Sequence, residues 1–551
     1  METFSAITFE IYFNGAWTDV SADVRATPHP RINGIGIMGN GFADRVGDPG
    51  TCEFSLDNST ANQFATLGYY SPTNITSPTK VVPGCPVRVS FTYDGYKVYK
   101  FYGLIDNDGV QIETGKYRGR SLKIKASNWF AIASRTNLDL MDYQTNLRAD
   151  QGIQNIFDKM YIKPQKWTLE QGANTFPTVF DITRTTTAAA GEINKLTISD
   201  LGYAFIRGGE TTGEEFVYMT RNTIGSKSPK TFPDKNSSFT DSILNETGGT
   251  DDILLETGDR LLLEHSLTAA FRGDAANDDF MTDLQVRHGT NMTNRFRFNT
   301  SPRSEDAAAV VLWASETPIT ILAGETLTEI RGNYTDPGAG NSPVGGKNMV
   351  TPVATTDYQM FANSDGTGTD RTADLVVTAV YGTAEVKYTL TNNNAATSYV
   401  TKLQARGIGV YTYDKQEKVF NDTTTQAIYG VLEQSIDMPY LDGATNLFTN
   451  TGSKTDLGFF GTGLGVGWEY PEMVIDSMSF VVNSSYLKTL AFMFVEPSDV
   501  ITFKETMTNS VLDGSGANAD AGPWVVMGYD IEILPGKIVK WNLTLRSQAR
   551  T

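Results

Sequence analysis

Alternating apolar and polar positions recur along the chain and predict β-strands as its main element. The clearest stretch is residues 84–105. Its first half places apolar side chains at every second position, namely Val87, Val89, Phe91 and Tyr93. Asp94-Gly95 comes next, a dipeptide typical of a two-residue hairpin turn in which both residues adopt positive φ. The return run, 96–105, is aromatic and β-branched but does not alternate cleanly. We expect either that both of its faces are covered or that a bulge near Gly103 switches the face.

Both ends of the chain carry this pattern. Residues 1–135 contain several alternating segments separated by turn signals and predict a small antiparallel barrel or sandwich. Residues 436–551 predict a second antiparallel barrel-like unit. Its strands are expected at Val474–Val482, Leu490–Val495, Val500–Phe503, Trp524–Ile533 and Ile538–Leu545. The fold class expected is therefore mainly β and multidomain, with one tube-like barrel domain at each end.

Residues 136–235 add helical periodicity and predict an α+β domain. A helix is expected over residues 148–163, with Asp150 as its N-cap and Pro164 closing it. Its apolar residues fall at the spacing of one helix face and are Ile153, Ile156, Phe157, Met160 and Tyr161. The elements expected after it are a weaker helix at 189–201 and strands at 203–206 and 216–219.

Residues 236–435 predict an inserted β-rich region. Near its start, Asp241–Gly248 is echoed ten residues on by Asp251–Gly258, a spacing that suits short strands joined by glycine-containing turns. From about 305 to 410, alternating runs predict a sandwich-like module set between two halves of one unit.

Composition narrows the classes of function. The chain has 45 basic and 63 acidic residues and a formal net charge of −18, which argues against tight binding of nucleic acid through phosphate neutralisation. An acidic wall could still surround a DNA conduit, although solubility is the simpler use of the charge. No long apolar run predicts a membrane-spanning segment. The first residues lack a basic region and an apolar core, so they predict a strand rather than a signal peptide.

The residues able to carry chemistry are few and scattered. His29, His265 and His288 lie far apart in sequence, and no zinc-ligand spacing, G-x-S-x-G elbow or phosphate-binding loop occurs. Cys52 and Cys85 are more simply explained as reduced, buried thiols than as a disulfide, although a single bridge between neighbouring strands stays open.

Two loops resemble ligand sites without completing them. The glycines of 458–467 have a dinucleotide-binding spacing but lack the strand, the helix and the acidic residue that accompany it. Residues 363–370 resemble a calcium loop, but the closing position is Asp374 instead of Glu. We therefore expect no catalytic, cofactor-binding or metal-binding residues and no enzymatic activity.

A family resemblance is carried by loose motifs spread along the chain. They are Trp17–Val20, Ile32–Gly50, Phe54–Asn58, Gly84–Val89, Phe101–Ile105, Asn128-Trp129, the helix at 150–163, Ser199–Arg221, Gln426–Gly430, Val495–Ile501 and Tyr529–Leu545. In this order they resemble the tail-tip hub, or minor tail protein, of long non-contractile-tailed (siphovirus-type) bacteriophages. The module at about 240–420 departs from the minimal hub plan and resembles an insertion.

The resemblance implies a structural virion protein made in the host cytoplasm without a signal peptide. Hubs of this kind form homotrimers whose two tube-like domains per chain make a ring that closes or adapts the tail tube. The implied partners are the distal tail or tube protein, the tape-measure protein and a tail fibre, with DNA passing only as cargo. Participation in host attachment is also implied.

Two alternatives stay open. A secreted β-protein that binds or cleaves glycans would be a monomer with an exposed aromatic groove, and a tail fibre or adhesin is the other possibility. For the hub, the two-sided apolar character of 96–105 predicts that outer-face aromatics among Tyr96, Tyr99 and Phe101 are buried by another part of the assembly.

Overall fold

The computed structural model describes residues 2–74, 81–114, 120–180, 187–233, 264–266, 272–273, 282–289, 291–336, 338, 342–441, 467–471, 473–505 and 521–550. The chain is mainly β, with 48% strand and 15% helix, and it contains several antiparallel sheets. The fold class predicted by the alternating pattern is confirmed at this level. The repeat at 241–258 and all of 458–467 except Gly467 lie outside the described residues.

Seven strands form the N-terminal unit. They are β1 (Ala6–Phe13), β2 (Ala16–Asp19), β3 (Arg31–Gly36), β4 (Thr51–Asp57), β5 (Pro86–Tyr93), β6 (Tyr96–Glu113) and β7 (Ser121–Ser127). Their order across the sheet is β3-β4-β7-β6-β5-β1-β2, and all neighbours are antiparallel. The turn predicted from Asp94-Gly95 is present, Asn14-Gly15 forms a second turn of this kind between β1 and β2, and all four residues have positive φ.

Nine elements form the α+β unit. They are α1 (Trp129–Arg135), β8 (Gln144–Arg148), α2 (Ala149–Lys159), β9 (Lys166–Leu169), β10 (Thr175–Val179), α3 (Ala189–Asp200), β11 (Tyr203–Arg207), β12 (Glu215–Met219) and α4 (Arg221–Ser226). The hairpin of β11 and β12 follows α3 as predicted, and β9 joins it in parallel to β12. Helices α1, α2 and α3 pack on this hairpin through one apolar core.

Helix α2 is shorter than predicted. It begins after Arg148, whose backbone N–H donates to the Gln151 side chain, so Asp150 is not the N-cap. It ends at Lys159, and Tyr161 is fully exposed instead of lying on the buried face. The physical reason is that the chain must leave the helix early to enter β9, and Pro164 already disfavours helical geometry in the residue before it.

The middle of the chain is built from short strands around one long strand of 15 residues, Ser398–Thr412. They are β13 (Thr231–Pro233), β14 (Glu264–Ser266), β15 (Arg272–Gly273), β16 (Asp283–His288), β17 (Arg295–Thr300), β18 (Arg303–Glu305), β19 (Val310–Ala314), β20 (Ile319–Ile321), β21 (Thr326–Asn333), β22 (Thr335–Asp336), β23 (Ser342–Pro343), β24 (Gly345–Lys347), β25 (Tyr358–Phe361), β26 (Leu375–Tyr381), β27 (Glu385–Asn392), β28 (Ser398–Thr412), β29 (Gln416–Asn421), α5 (Thr423–Tyr429) and β30 (Glu433–Met438).

Strands β18 to β28 form a sandwich with its own core. Five short strands pair along β28, and the sheet β21-β27-β26 covers them. Leu312, Met360, Leu390 and Leu403 belong to the core between the two sheets. The flanking sheet β29-β17-β30 instead packs Phe296 and Phe298 against the core of the α+β unit.

Among the described residues, the C-terminal unit has four strands and one α-helix. They are β31 (Met473–Val481), α6 (Tyr486–Phe494), β32 (Val500–Glu505), β33 (Ala521–Leu534) and β34 (Ile538–Ser547). The strand predicted at Leu490–Val495 is wrong, because α6 occupies those positions up to Phe494. Ser485 caps the helix by accepting a hydrogen bond from the Lys488 backbone N–H. An apolar run without periodicity does not distinguish a buried strand from a buried helix.

The two end units form one sheet. Strand β3 pairs with β33 on one edge and with β4 on the other, so the order runs β16-β31-β34-β33-β3-β4-β7-β6-β5-β1-β2 within a 13-stranded sheet. Side chains from both ends, such as Phe91, Phe492 and Trp541, share one apolar core. The sequence predicts two barrels; in the described residues they are joined edge to edge through β3, which lies in the glycine-rich stretch 32–50.

Candidate functional site at the joint between units

The hairpin of β5 and β6 contains a bulge at Lys100. Val89 pairs with Phe101 and Ser90 pairs with Tyr99, so Lys100 has no opposite residue. The sequence predicts the bulge near Gly103. Glycine is required at that position for another reason, because a Cβ there would collide with the Ser127 carbonyl oxygen. The extra residue turns the Lys100 side chain into the protein, where it is 1% exposed.

The ammonium group of Lys100 bonds to the C-terminal unit. Its Nζ donates to Glu496 Oε1 at 2.6 Å and to the Val495 carbonyl oxygen at 3.2 Å. The other carboxylate oxygen, Glu496 Oε2, accepts from the Tyr529 hydroxyl at 2.8 Å. Burial lowers the pKa of Lys100 and raises the pKa of Tyr529. Both partners of the ion pair are thus satisfied by further hydrogen bonds, which is the condition for such a pair to hold in an apolar interior.

A loop of the α+β unit closes on the same place. Glu496 Oε2 also accepts from the Gly208 N–H at 3.1 Å. Gly209 and Tyr99 exchange two backbone hydrogen bonds, of 2.8 and 2.9 Å, so the loop extends the edge of β6. A Cβ at Gly208 would meet the Tyr99 carbonyl oxygen, and one at Gly213 would meet the Phe101 backbone. Gly208 and Gly213 therefore need to be glycine so that backbone can approach backbone.

Glu214 follows this loop and is buried without a cation. Its Oε1 accepts from the Trp129 N–H at 2.7 Å and its Oε2 accepts from the Gln165 N–H at 3.2 Å. The residue is 2% exposed. Burial raises the pKa of its carboxyl to about 7, and the two N–H donors oppose that rise. No ion pair reaches Glu214 among the residues that the structure describes.

Two arginines bind carbonyl groups across the same joint. Arg546 Nη2 donates to the carbonyl oxygens of Gly41 and Asp44, each at 2.9 Å. Arg45 Nη1 donates to the Leu201 carbonyl oxygen at 2.7 Å, and burial lowers the pKa of Arg45 to about 10. The segment between β3 and β4 is thus bound both to β34 and to the end of α3.

We define these contacts as the joint: Arg45, Lys100, Gly208–Glu214, Glu496, Tyr529 and Arg546. The charged side chains of Arg45, Lys100, Glu214, Glu496 and Arg546 lie where three units meet and are nearly free of solvent. Such contacts hold the units in one orientation, since an imperfectly matched buried charge is costly.

The aromatics of β6 behave differently from one another. Phe101 is fully buried in the core of its own chain, because the bulge at Lys100 sends it inward, so it is not one of the outer-face aromatics. Tyr99 is half-buried beside the Arg88 guanidinium, 5.2 Å from the ring centre. Tyr96 is 41% exposed and touches Phe494.

An aromatic cluster lies on the outer face of β1, β2, β5 and β6. The Trp17 ring lies 5.5 Å from Tyr12 and 6.2 Å from Tyr102, measured between ring centres. Arg88 stacks over Trp17 at 4.1 Å and forms a bidentate ion pair with Glu10, with N–O distances of 2.7 and 2.8 Å. The cluster combines aromatic faces with a neutralised ion pair.

The residues considered for catalysis do not come together. His29, His265 and His288 belong to different parts of the fold, and neither Cys52 nor Cys85 forms a disulfide. In the loop at 363–370, the Asp365 side chain accepts from the Thr367 N–H as an ordinary turn. No group of three or more His, Cys, Asp or Glu side chains suited to a metal occurs within the described ranges. None of the helices described is long and apolar enough to cross a membrane.

The sequence patterns described above do not predict the joint, although one residue in the sequence indicates it. Lys100 interrupts the aromatic run of β6, and an unexpected charge in a buried strand indicates a partner elsewhere. Glu496, inside the motif Val495–Ile501, gives no hint by itself that it is this partner. Glu214 is indistinguishable in sequence from Glu210, which is exposed.

Comparison with known proteins gives distant structural neighbours. No protein-family description matches the sequence. No curated protein matches it either. A tail protein from Neisseria meningitidis MC58 superposes with a TM-score of 0.42 at 8% identity, covering 98% of this chain and 96% of the other.

Two further superpositions are of the same quality. The 43 kDa tail protein of prophage MuSo2 from Shewanella oneidensis gives a TM-score of 0.42 at 8% identity and covers 99% of both chains. The prophage tail protein gp18 from Listeria monocytogenes EGD-e gives 0.38 at 8% identity, covering 98% of this chain and 94% of that one. Because these TM-scores are below 0.5, no argument about function follows from them.

Proposed function

We propose that this protein is a structural component of a phage tail, and more specifically the hub at the tail tip. The observation that carries the proposal is the joining of both chain ends in one sheet through β3 and β33. A hub needs two tube-wall units per chain held at a fixed angle, and a shared sheet with a shared core provides that rigidity.

The edges of the sheet support assembly into a ring. The sheet ends on β2 at one side and on β16 at the other, and neither outer edge has a strand neighbour in the described part of the chain. Open edges favour pairing with another chain, and a head-to-tail contact that closes gives a ring. Three copies, each contributing two end units, would form a wall of six units.

The joint supports the same role. It fixes the α+β unit against both end units through buried charged groups that are hydrogen-bonded across the joint. Such a contact resists relative movement of units during assembly. We propose that the unit at 136–235 is a rigid bracket outside the tube wall, and that the region at 236–435 is an insertion facing neighbouring tail proteins.

The charge of the chain supports a passive relation to DNA. With a net charge of −18 the lumen of such a ring would repel the phosphate backbone. We propose that DNA passes as cargo, that the distal tail or tube protein and the tape-measure protein are neighbours, and that the role is structural and not catalytic.

Location in the virion tests the proposal. Gold-labelled antibody against the purified protein should decorate the tail tip of intact virions. When the protein is released from tail-tip complexes, sedimentation should give the mass of a trimer. Label confined to the capsid, or absent from virions that contain normal tails, would contradict it.

The aromatic cluster at Trp17 favours a second candidate, contact with a surface glycan. The Trp17 ring is partly exposed and Tyr12 is 38% exposed, and such rings beside planar polar groups suit stacking on a sugar ring. A glycan array probed with the wild type and with Trp17→Ala tests it, with Trp167→Ala as a control because Trp167 is also accessible, at 36% exposed. Retention of glycans that depends on Trp17 alone would support this candidate.

A further inference from the structure

A groove lies beside the first half of β1. Its volume is about 440 Å³, within the range of sites that bind small molecules or short peptide segments. The lining combines β1, the segment at 19–30 and the turn at 533–537 between β33 and β34. Its larger apolar residues are Ile7, Phe9, Val24, Pro30, Ile533 and Leu534.

The groove exposes an unpaired edge of β1. Phe9 turns both backbone groups to the β2 side, because its N–H donates to the Ser21 hydroxyl and its carbonyl accepts from the Val20 N–H. By the alternation of an antiparallel ladder, the N–H and carbonyl of Ile7 face the same way. Strand β2 pairs with β1 only from Glu10 onward, so no strand covers Ile7. Neither backbone group of Ile7 has a partner on this side within the described residues.

The groove occupies the position of one further strand. The opposite edge of β1 is already paired with β5. Across the groove, the Ile533 N–H donates to the Pro30 carbonyl oxygen at 2.9 Å, where β3 and β33 end. The groove therefore separates β1 from the place where β3 and β33 meet. An extended backbone is the shape that matches an unpaired strand edge such as that of β1.

Charge limits what can bind there. Arg25 and Lys537 line the groove, and no ion pair of either occurs in the part of the chain that is described. The Lys537 ammonium contacts only the carbonyl oxygens of Phe4 and Ser5, at 3.4 and 3.2 Å. The one acidic lining residue, Asp19, already accepts from the Ser21 N–H and hydroxyl. The lining thus favours carboxylates on the incoming segment.

We propose that this groove binds an extended peptide segment of a partner protein, with alternating apolar side chains and one or more carboxylates, which adds a strand to β1 at Ile7. Backbone hydrogen bonds to Ile7 would supply register, and the apolar lining would receive alternate side chains.

A matched pair of variants isolates the backbone contact. Ile7→Pro removes the outward N–H, and proline is tolerated on an open strand edge because the β5 ladder does not use that donor. Ile7→Val keeps the N–H and nearly the same side chain. Thermal unfolding of both variants checks that the fold survives.

The probe is a display library of peptides of about nine residues with Asp or Glu fixed at both ends, since strands of this length are common. We expect the Ile7→Val protein to enrich alternating apolar sequences and the Ile7→Pro protein to bind the same peptides about tenfold more weakly, because one backbone hydrogen bond is lost and its acceptor on the peptide stays unpaired. Hydrogen exchange should show the Ile7 amide protected only when an enriched peptide is present. The double variant Arg25→Gln, Lys537→Gln should weaken binding and flatten its salt dependence, whereas Lys97→Gln, outside the groove, should not.

Three results would overturn the proposal. One is a library in which no peptide distinguishes Ile7→Val from Ile7→Pro. Another is protection of the Ile7 amide in dilute protein without any peptide, which would mean that the edge is already covered. The third is protection that rises with protein concentration alone, which would assign the groove to a second copy of this chain.

Discussion

The Lys100 ammonium lies 2.6 Å from the Glu496 carboxylate, and the two residues are 396 positions apart in sequence. This ion pair connects the bulge of the β5–β6 hairpin to the segment after α6. Lys100 is 1% exposed and the Glu496 side chain is 11% exposed, so solvent screens the pair little. It is the clearest single contact between the two ends of the chain.

Removing one partner of this pair should destabilise the whole protein. Lys100→Met leaves the Glu496 carboxylate buried without its cation, and we expect a loss of about 3–5 kcal/mol in the free energy of unfolding. Denaturant unfolding measures it. The matched control is Lys123→Met, because Lys123 pairs with Glu53 at 3.5 Å with both side chains over a third exposed; about 1 kcal/mol or less is expected there. Equal losses for the two variants would contradict the account.

Glu214 should make stability depend on pH. Its folded pKa of about 7 is raised above the ordinary 4.5, so the folded state binds the proton more tightly than the unfolded state. The stabilisation is complete below about pH 4.5 and is lost as pH rises through 7, an effect on the order of 3 kcal/mol at most. Unfolding curves of the wild type and of Glu214→Gln between those pH values test this. The free energy of unfolding of the variant should depend less on pH in this range than that of the wild type. An unchanged pH dependence would mean that other groups cause it.

Two glycines of one loop should respond differently to alanine. Gly213→Ala places a methyl group against the Phe101 backbone, which must move, so the loop should separate from β6. Gly209→Ala meets only the Thr212 carbonyl oxygen at 3.4 Å, an ordinary contact. We expect Gly213→Ala to cost about 1–3 kcal/mol and to raise hydrogen exchange at Tyr99, with little effect from Gly209→Ala. The reverse order would show that the loop is not packed as described.

The early end of α2 gives a further prediction. Ile156 is fully buried, whereas Tyr161 is fully exposed beyond the helix. Ile156→Ala should therefore cost about 2–5 kcal/mol in unfolding free energy, and Tyr161→Ala should change it by no more than about 0.5 kcal/mol. A large effect of Tyr161→Ala would instead indicate that the helix continues to Tyr161, as the spacing of apolar residues predicts.

Local chemistry explains which elements could be predicted from the sequence. The β5–β6 hairpin was predictable because Asp94-Gly95 determines the turn and alternation determines the strand. Strand β3 was not, because its glycine-rich sequence has no strand pattern and its partner β33 lies almost five hundred residues away. The second half of helix α6 is predicted as a strand because residues 490–495 are apolar at every position and show no helical periodicity.

The joint could be predicted only in part. The position of Lys100 in an aromatic run indicates a buried charge, but its partner is determined by packing between distant units. The raised pKa of Glu214 arises from burial that no local pattern encodes. The groove at Ile7 could not be predicted from the sequence either, because the edge of β1 is open there only where the pairing with β2 has ended.

Image reconstruction of tails from virions that contain this protein tests the central proposal most directly. We expect three copies at the tail tip, each contributing both end units to a six-unit wall, with β3 and β33 paired inside every copy. A reconstruction in which the chain lies outside the tube wall, or in which its two end units belong to separate rings, would contradict it.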